Sequence, residues 1–367
     1  MHSTIVCRFS GSTQRGCCPH EKTLKPFTLT LSNHEINTLF DSFINQKVLI
    51  IGDVMIDAYY RGKIERISPE APVPVVEVTS RETRLGGAGN VTVNLAAMKA
   101  TPIICSVIGA DPNGSDLIGL LENEGIPSRG ILQSKSRKTT VKTRIISGSQ
   151  HMLRIDEERI EPLSDEDRLN FIDHILSILK KEEVGVVIFE DYDKGVIDRT
   201  VIEKVVEYCN ANQIPTAVDP KRKNFLHYEK VTLFKPNLKE LKDGLNLLDF
   251  QTDVDGLNEA NQQLTKKLNH ETSLITLSEK GVYISSKGES SIIPAHLRNI
   301  ADVSGAGDTV ISVAALCLAA GTSPQNLAEI ANLAGGLVCE QVGVVPILHE
   351  DLLKECLSLN QEDSYTA

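Results

Sequence analysis

The chain contains no tryptophan, and aromatic residues make up only 4% of its 367 positions. Its core must therefore be built mainly from aliphatic side chains. No apolar stretch reaches the roughly 18 residues that a membrane-spanning helix needs, so no such span is expected. Positive charge is in the minority: 38 Lys and Arg stand against 49 Asp and Glu, a net charge of −11 with neutral histidine. That balance argues against broad contact with nucleic acid or an anionic membrane surface. A single pocket can still be locally basic. The eight cysteines (Cys7, Cys17, Cys18, Cys105, Cys209, Cys317, Cys339 and Cys356) form no CxxC pair and no Cys/His ligand spacing. Most lie in apolar or helical segments, where cysteine packs as a small hydrophobe. The pattern reads as a reducing, cytoplasmic compartment without a disulfide framework. No GxxxxGK[ST] loop occurs, which excludes a Walker-type phosphate site.

What remains is ordinary globular material, 41% hydrophobic and 24% charged. The length suits two or three domains, or one large open α/β sheet with a small appendage. The first 35 or so residues stand apart, with four basic residues, two acidic ones (Glu21, Glu35), many Ser and Thr and no apolar period. A transit peptide has this composition. So does a disordered extension, or a chain start assigned too far upstream, and disorder is expected over 1–40. The folded domain is expected over 46–358, with a loose tail from about 360.

Short continuous apolar runs at 48–51, 103–108, 184–189, 216–218, 232–234 and 274–277 fit parallel strands buried on both faces. Helix-length segments at 90–100, 115–124, 164–181, 198–212 and 257–269 lie between them. This alternation predicts an α/β fold with a doubly wound, mostly parallel sheet. Two stretches break the rhythm. Residues 72–83 are rich in β-formers, and 139–156 read as two alternating strands joined at Gly148, Ser149 and Gln150. Alternation signals a half-exposed antiparallel sheet. A small β element is therefore expected to project from the body, built from insertions near 57–85 and 139–156.

The strongest chemical signal is D-V-S-G-A-G-D-T-V at 302–310. A polar loop with two glycines runs into a helix that is apolar nearly all round and hence buried. Such a helix start presents unpaired N–H groups and a positive dipole end, an anion site suited to phosphate. Gly305 and Gly307 permit close backbone approach there. Asp308 lies in the first helical turn. It either complements the helix dipole or accepts a proton from a hydroxyl attacking the bound phosphate. A second Gly-rich turn, Gly86-Gly87-Ala88-Gly89-Asn90, is a poor dinucleotide fingerprint because it does not follow a buried strand in the required way. It is a structural turn or a ligand-contacting one. N-L-K-E at 237–240 is a capping box in form.

The 302–310 motif resembles the C-terminal signature of the PfkB (ribokinase-like) carbohydrate kinases, and G-G-A-G-N-V-T-V-N-L-A at 86–96 resembles their N-terminal signature. The segments G-D-V-M-I-D (52–57), R-I-S-P-E-A-P-V-P-V (66–75), T-V-K-T-R (140–144), D-Y-D-K-G (191–195), V-D-P-K (218–221) and K-P-N-L-K-E-L (235–241) are similar to those of D-glycero-β-D-manno-heptose-7-phosphate kinases. The likeness runs in order from about 48 to 355. Many such relatives carry a further nucleotidyltransferase domain, so the chain looks like the stand-alone kinase.

The resemblance implies ATP and Mg²⁺ as cofactors and a sugar phosphate as acceptor. Asp308 would be the base, with the N–H groups of Gly305, Ala306 and Gly307 stabilising the transferred phosphoryl group. Asp57, Gly86, Gly87, Asn90 and Asp191 would contact sugar, and Arg144 and Lys194 its phosphate. Asn237 and Glu240 match the family's NxxE motif, with Glu240 holding Mg²⁺ through water. Lys221, Ser278, Gly281 and Asn332 would serve the nucleotide. Asp302 resembles a position near a monovalent-cation site, which makes K⁺ a candidate. The insertions would form a lid, which family members commonly pair into a homodimer. Two departures stand out: Val303-Ser304 stands where many such relatives have two threonines or Val-Thr, and Phe189-Glu190 replaces a more usual small residue before Asp191. Alternatives are a PfkB kinase for another sugar, a catalytically silent relative and, more remotely, a Rossmann oxidoreductase.

Overall fold

The computed structural model describes residues 29–148, 150–247, 250–296 and 298–363. Most of the expected N-terminal extension, residues 1–28, lies outside them. Residues 33–40 correct that expectation, because they belong to helix α1 (Asn33–Phe43). A capping box between Ser32 and Glu35 starts it. Ile36, Leu39, Phe40 and Phe43 recur at helical spacing and are buried.

The chain then enters β1 (Lys47–Gly52), and leaves the body at Asp53 through β2 (Val54–Ile67) and β3 (Pro74–Gly87). It returns as α2 (Ala88–Ala97), β4 (Thr101–Gly109), α3 (Pro112–Asn123) and β5 (Ile131–Ser134). A second excursion forms β6 (Thr140–Ser147) and β7 (Gln150–Glu157). The remainder is α4 (Asp165–Lys181), β8 (Val186–Glu190), α5 (Arg199–Ala211), β9 (Thr216–Asp219), β10 (Leu233–Phe234), α6 (Leu238–Leu245), α7 (Val254–Leu268), β11 (Thr272–Thr276), β12 (Val282–Ser286), β13 (Glu289–Ile293), α8 (Ala306–Ala319), α9 (Pro324–Val338) and α10 (His349–Asp363).

The body is a nine-stranded sheet in the order β13-β12-β11-β10-β9-β8-β1-β4-β5. Pairings from β5 through β11 are parallel, and only the β11-β12-β13 edge is antiparallel. That edge hairpin was not expected from the sequence, because its two strands are short and half of their residues are polar, Ser285, Ser286, Glu289, Ser290 and Ser291. Alternate residues feed two cores. Val48 and Ile50 face α1, α2, α3, α8, α9 and α10, whereas Leu49 and Ile51 face α4 to α7. The strand order reverses about β1, where open α/β sheets leave a crevice beyond their carboxyl ends.

The second sheet has four strands in the order β3-β2-β6-β7. β2 pairs antiparallel with β3 and parallel with β6, so two insertions distant in sequence meet on one strand. Asp57, Tyr59 and Arg61 alternate onto one face and Ala58 and Tyr60 onto the other. Among the described residues, no helix is long and apolar enough to cross a membrane. Cys105, Cys209, Cys317 and Cys356 are free and buried, and burial pushes the Cys105, Cys209 and Cys356 thiols up to about 12.

Candidate active site

Gly305 adopts φ +81° and caps α8, a conformation that suits glycine. The Ala306 N–H turns back to the Val303 carbonyl at 3.3 Å. Those of Gly305 and Gly307 meet no acceptor among the described residues. The start of α8 thus offers the N–H groups of the two glycines, while that of Ala306 is already engaged. Asp308, 7% exposed, stands directly beneath it. Its Oδ2 accepts from Asn90 Nδ2 at 2.6 Å and its Oδ1 from the Tyr192 hydroxyl at 3.0 Å. Burial pushes the Asp308 carboxyl up to about 6. The Asn90 and Tyr192 hydrogen bonds restrain the rise and the charge of Asp219 adds to it. A carboxylate of this kind is poised to take up a proton near neutral pH.

Asn90 is placed by the seam between the two sheets. Gly87, at φ +59°, ends β3 and caps α2, and a Cβ there would lie 2.4 Å from the Asp53 carbonyl oxygen. A Cβ on Gly86 would lie 2.3 Å from Asp57 Oδ2. The Gly-rich turn therefore closes an antiparallel lid strand rather than a buried parallel one. Asp53 ties the seam together. Its carboxylate accepts the N–H groups of Tyr192, Lys194 and Val196 at 2.9–3.0 Å, and its carbonyl accepts Ala88 N–H at 3.1 Å. Tyr192 is thereby fixed against Asp308.

Behind the turn lies a charge network of which sequence reasoning named only Lys221 and Glu240. Lys235, 2% exposed, bonds Asp219 at 2.8 Å. Lys221 bonds Glu240 at 2.7 Å and Asp219 at 3.4 Å, with its ammonium over the Tyr192 ring. Burial alone would push Asp219 up, but the two lysines hold it below the usual carboxylate range. Glu190 is fully buried and neither of its oxygens has a hydrogen-bond partner among the described residues. Burial, then the charges of Asp219 and Asp308, push it well above the ordinary range. Carboxylate oxygens of Glu190, Asp219 and Asp308 lie within 4.8 Å of one another. Asp219 and Lys235 sit inside two of the quoted motifs, but only the fold shows that adjacent strand ends bring them together.

Asp308 and Asn90 line a cavity of about 760 Å³ whose other wall is the lid face bearing Asp57, Tyr59, Arg61, Lys142, Arg144, His151 and Arg154. Gly86, Gly87, Lys194, Asp302 and Gly305 also line it. Arg144 is not a free phosphate clamp here, because its guanidinium bonds Asp57 at 2.5 Å. Lys194 bonds Glu158 at 2.9 Å. Asp191 is turned away from the cavity, contrary to expectation. Its carboxylate accepts from Asn224 and Tyr228 at 2.9 and 2.8 Å, and burial pushes it up to about 7.

Asn237 and Glu240 do form the reciprocal capping box of α6, with both bonds at 2.8 Å. Asp302 accepts the N–H groups of Ser304 and Gly343, which outweigh its partial burial and hold it below the usual range. Ser278 and Gly281 shape the tight turn between β11 and β12, where a Gly281 Cβ would strike the Ile293 carbonyl. Asn332 donates to the Pro294 carbonyl at 2.9 Å. None of these last three lines the cavity.

Residues 45–351 match the model of the pfkB family carbohydrate kinases. The chain is 39% identical over 317 residues to the bifunctional protein HldE of Helicobacter pylori, covering 86% of this chain and 67% of that one. It is 38% identical over 328 residues to HldE of Geotalea uraniireducens, covering 89% and 66%. The chain thus spans about two thirds of the length of these relatives. Among solved structures, phosphofructokinase-2 from Escherichia coli in complex with potassium aligns with a TM-score of 0.70 at 17% identity, over 86% of this chain and 99% of that one. Ribokinase of Arabidopsis thaliana, complexed with ribose and ATP, aligns with a TM-score of 0.66 at 17% identity, over 85% and 99%. These two alignments establish a ribokinase-like fold.

Proposed function

The chain belongs to the pfkB family and is an ATP-dependent carbohydrate kinase, and from that premise we propose that it phosphorylates the anomeric hydroxyl of D-glycero-β-D-manno-heptose 7-phosphate. The product is heptose 1,7-bisphosphate, an intermediate toward ADP-heptose and the lipopolysaccharide core. The observation that carries the reading is the two-ended cavity, with Asp308 beneath an anion-binding turn at one end and a cation-rich lid face at the other.

In this reading Asp308 takes the proton of the anomeric hydroxyl. The oxygen forms a bond to the γ-phosphorus as the bond to the β–γ bridging oxygen breaks, and ADP leaves. The Gly305 and Gly307 N–H groups stabilise charge on the phosphoryl oxygens. Asn90 and Tyr192 hold the carboxylate in place, and Asp57 and Asn90 orient sugar hydroxyls. The all-oxygen set of Glu190 and Asp219 beside Asp308, with Glu190 buried and unpartnered, suits Mg²⁺. Mg²⁺ held by these carboxylates would supply charge neutralisation for the transferring phosphates. Glu240 is held by Lys221 and would act from further out. Ser278, Gly281 and Asn332, outside that cavity, are the candidates for contact with the nucleotide. The Asp302 loop is the candidate for a K⁺ dependence, read by comparing turnover in K⁺ and Na⁺ salts. The outer lid face exposes Val78, Leu153 and Ile155, which supports a homodimer through the lid. A monomer in light scattering at micromolar concentration would exclude it.

The test of function is ATP-dependent ADP release with the heptose 7-phosphate, beside ribose, fructose 6-phosphate and adenosine. Turnover confined to the heptose phosphate is expected. Preference for another acceptor would overturn the assignment of substrate while leaving the kinase.

A further inference from the structure

The lid end of the cavity has a charge balance unlike that of the chain as a whole. Five cations line it: Arg61, Lys142, Arg144, Arg154 and Lys194. Three carboxylates partner them. Asp57 takes Arg144, Asp156 takes Arg154 at 2.9 Å and Lys142 at 3.5 Å, and Glu158 takes Lys194 at 2.9 Å and Lys142 at 3.4 Å. Arg61 has no carboxylate partner among the described residues. Its guanidinium lies over the Tyr59 ring, 5.9 Å from the centroid, and Arg144 lies over the same ring at 5.3 Å. Two positive charges are left over, in a protein whose net charge is −11. A phosphate monoester carries about −1.5 to −2 at neutral pH and so matches that surplus.

The placement of Arg61 fits the same ligand. Asp57, Tyr59 and Arg61 share one face of β2, and β2 pairs with β6 so that Tyr59 is opposite Arg144. A strand rises about 3.3 Å per residue, which puts Arg61 about 13 Å along β2 from Asp57. Asp57 lies at the sugar end, against Gly86. An acceptor whose reacting hydroxyl meets Asp308 therefore points its far end toward Arg61. A guanidinium backed by an aromatic ring is oriented in advance for two parallel hydrogen bonds to phosphate oxygens.

We infer that Arg61 is the specificity-determining residue that separates a phosphorylated acceptor from its neutral parent sugar, receiving the phosphate at the lid end of the cavity. This rests on the sugar-phosphate reading above. Arg144, which the sequence singles out, instead positions Asp57 through their ion pair.

The experiment compares KM and kcat for D-glycero-D-manno-heptose 7-phosphate and for the unphosphorylated heptose, in the wild type, Arg61→Ala and Arg61→Lys. KM for ATP and the melting temperature are followed in parallel. In Arg61→Ala, KM for the phosphorylated sugar should rise at least tenfold, with KM for ATP, turnover of the neutral heptose and melting temperature unchanged. Arg61→Lys should recover part of the loss. A wild type that prefers the phosphorylated sugar, with the preference intact in Arg61→Ala, overturns the inference and leaves the reading standing. A wild type that uses neither heptose, or both equally, overturns the two together.

Discussion

The two sheets handle charge in opposite ways. In the body, the ionic groups at the strand ends are few and buried, and all but Glu190 are fixed by short contacts. Lys235 and Asp219 are each almost wholly buried at 2.8 Å, and Asp308 is gripped on both oxygens. In the lid, the ionic groups are many and partly exposed, and they share partners, as Lys142 does with Asp156 and Glu158. Buried charges must be paired in a single geometry, because leaving one unpaired costs several kcal/mol. Exposed pairs are worth about 0–1 kcal/mol and exchange easily. The body is thus built to hold one arrangement of charge, and the lid to let its charges exchange partners.

The sharpest way to break this contrast is Asp308→Asn. Its kcat for ADP release should fall on the order of 10²–10⁴-fold, the usual worth of a positioned base, with the melting temperature held. A loss under tenfold would move the base elsewhere. Next comes a pair of truncations. Leu274 is fully buried in β11 and Leu153 is 56% exposed on β7. In urea unfolding, Leu274→Ala should cost about 2–5 kcal/mol, and Leu153→Ala less than about 0.5. Equal costs would abolish the distinction between a rigid body and a soft lid.

The pH profile sharpens it further. Asp308 must be ionised to take a proton, and its carboxyl is pushed up to about 6. With saturating substrates, kcat should therefore fall as pH drops through about 6, approaching tenfold per unit below it. A flat profile down to pH 5 would remove Asp308 from the proton transfer. The smallest effect expected is at the seam. In Gly86→Ala the new methyl would press on Asp57 Oδ2. KM for the sugar should rise roughly tenfold, as for a lost charge-assisted hydrogen bond, with kcat nearly unchanged. A fall in kcat alone would mean that the seam acts on Asp308 through Asn90.

The parallel body was legible because strands buried on both faces are written as continuous apolar runs, as at Leu49, Ile50 and Ile51. The lid was legible for the opposite reason, its alternation. α1 carried readable signals in the Ser32–Glu35 box and the Ile36–Leu39–Phe40–Phe43 spacing, but it adjoins an aperiodic N-terminal stretch and was absorbed into it. At the site, Gly305, Gly307 and Asp308 are contiguous and could be read as one motif. Tyr192, Glu190, Asp219 and Lys235 come from the ends of three neighbouring strands, and only the sheet order makes them neighbours. Local pattern also cannot tell which cation already has a partner. Arg144 is held by Asp57, whereas Arg61, which no motif marks, has no carboxylate partner among the described residues.

The parallel pairing of β2 with β6 makes the lid indivisible. Without 139–157, β2 and β3 would be a bare two-stranded hairpin, which is marginally stable at best in water. Without β2 and β3, β6 and β7 would be another. Recombination between homologues with different acceptors would yield a working lid only when both segments come from the same parent, although some 50 residues of body lie between them.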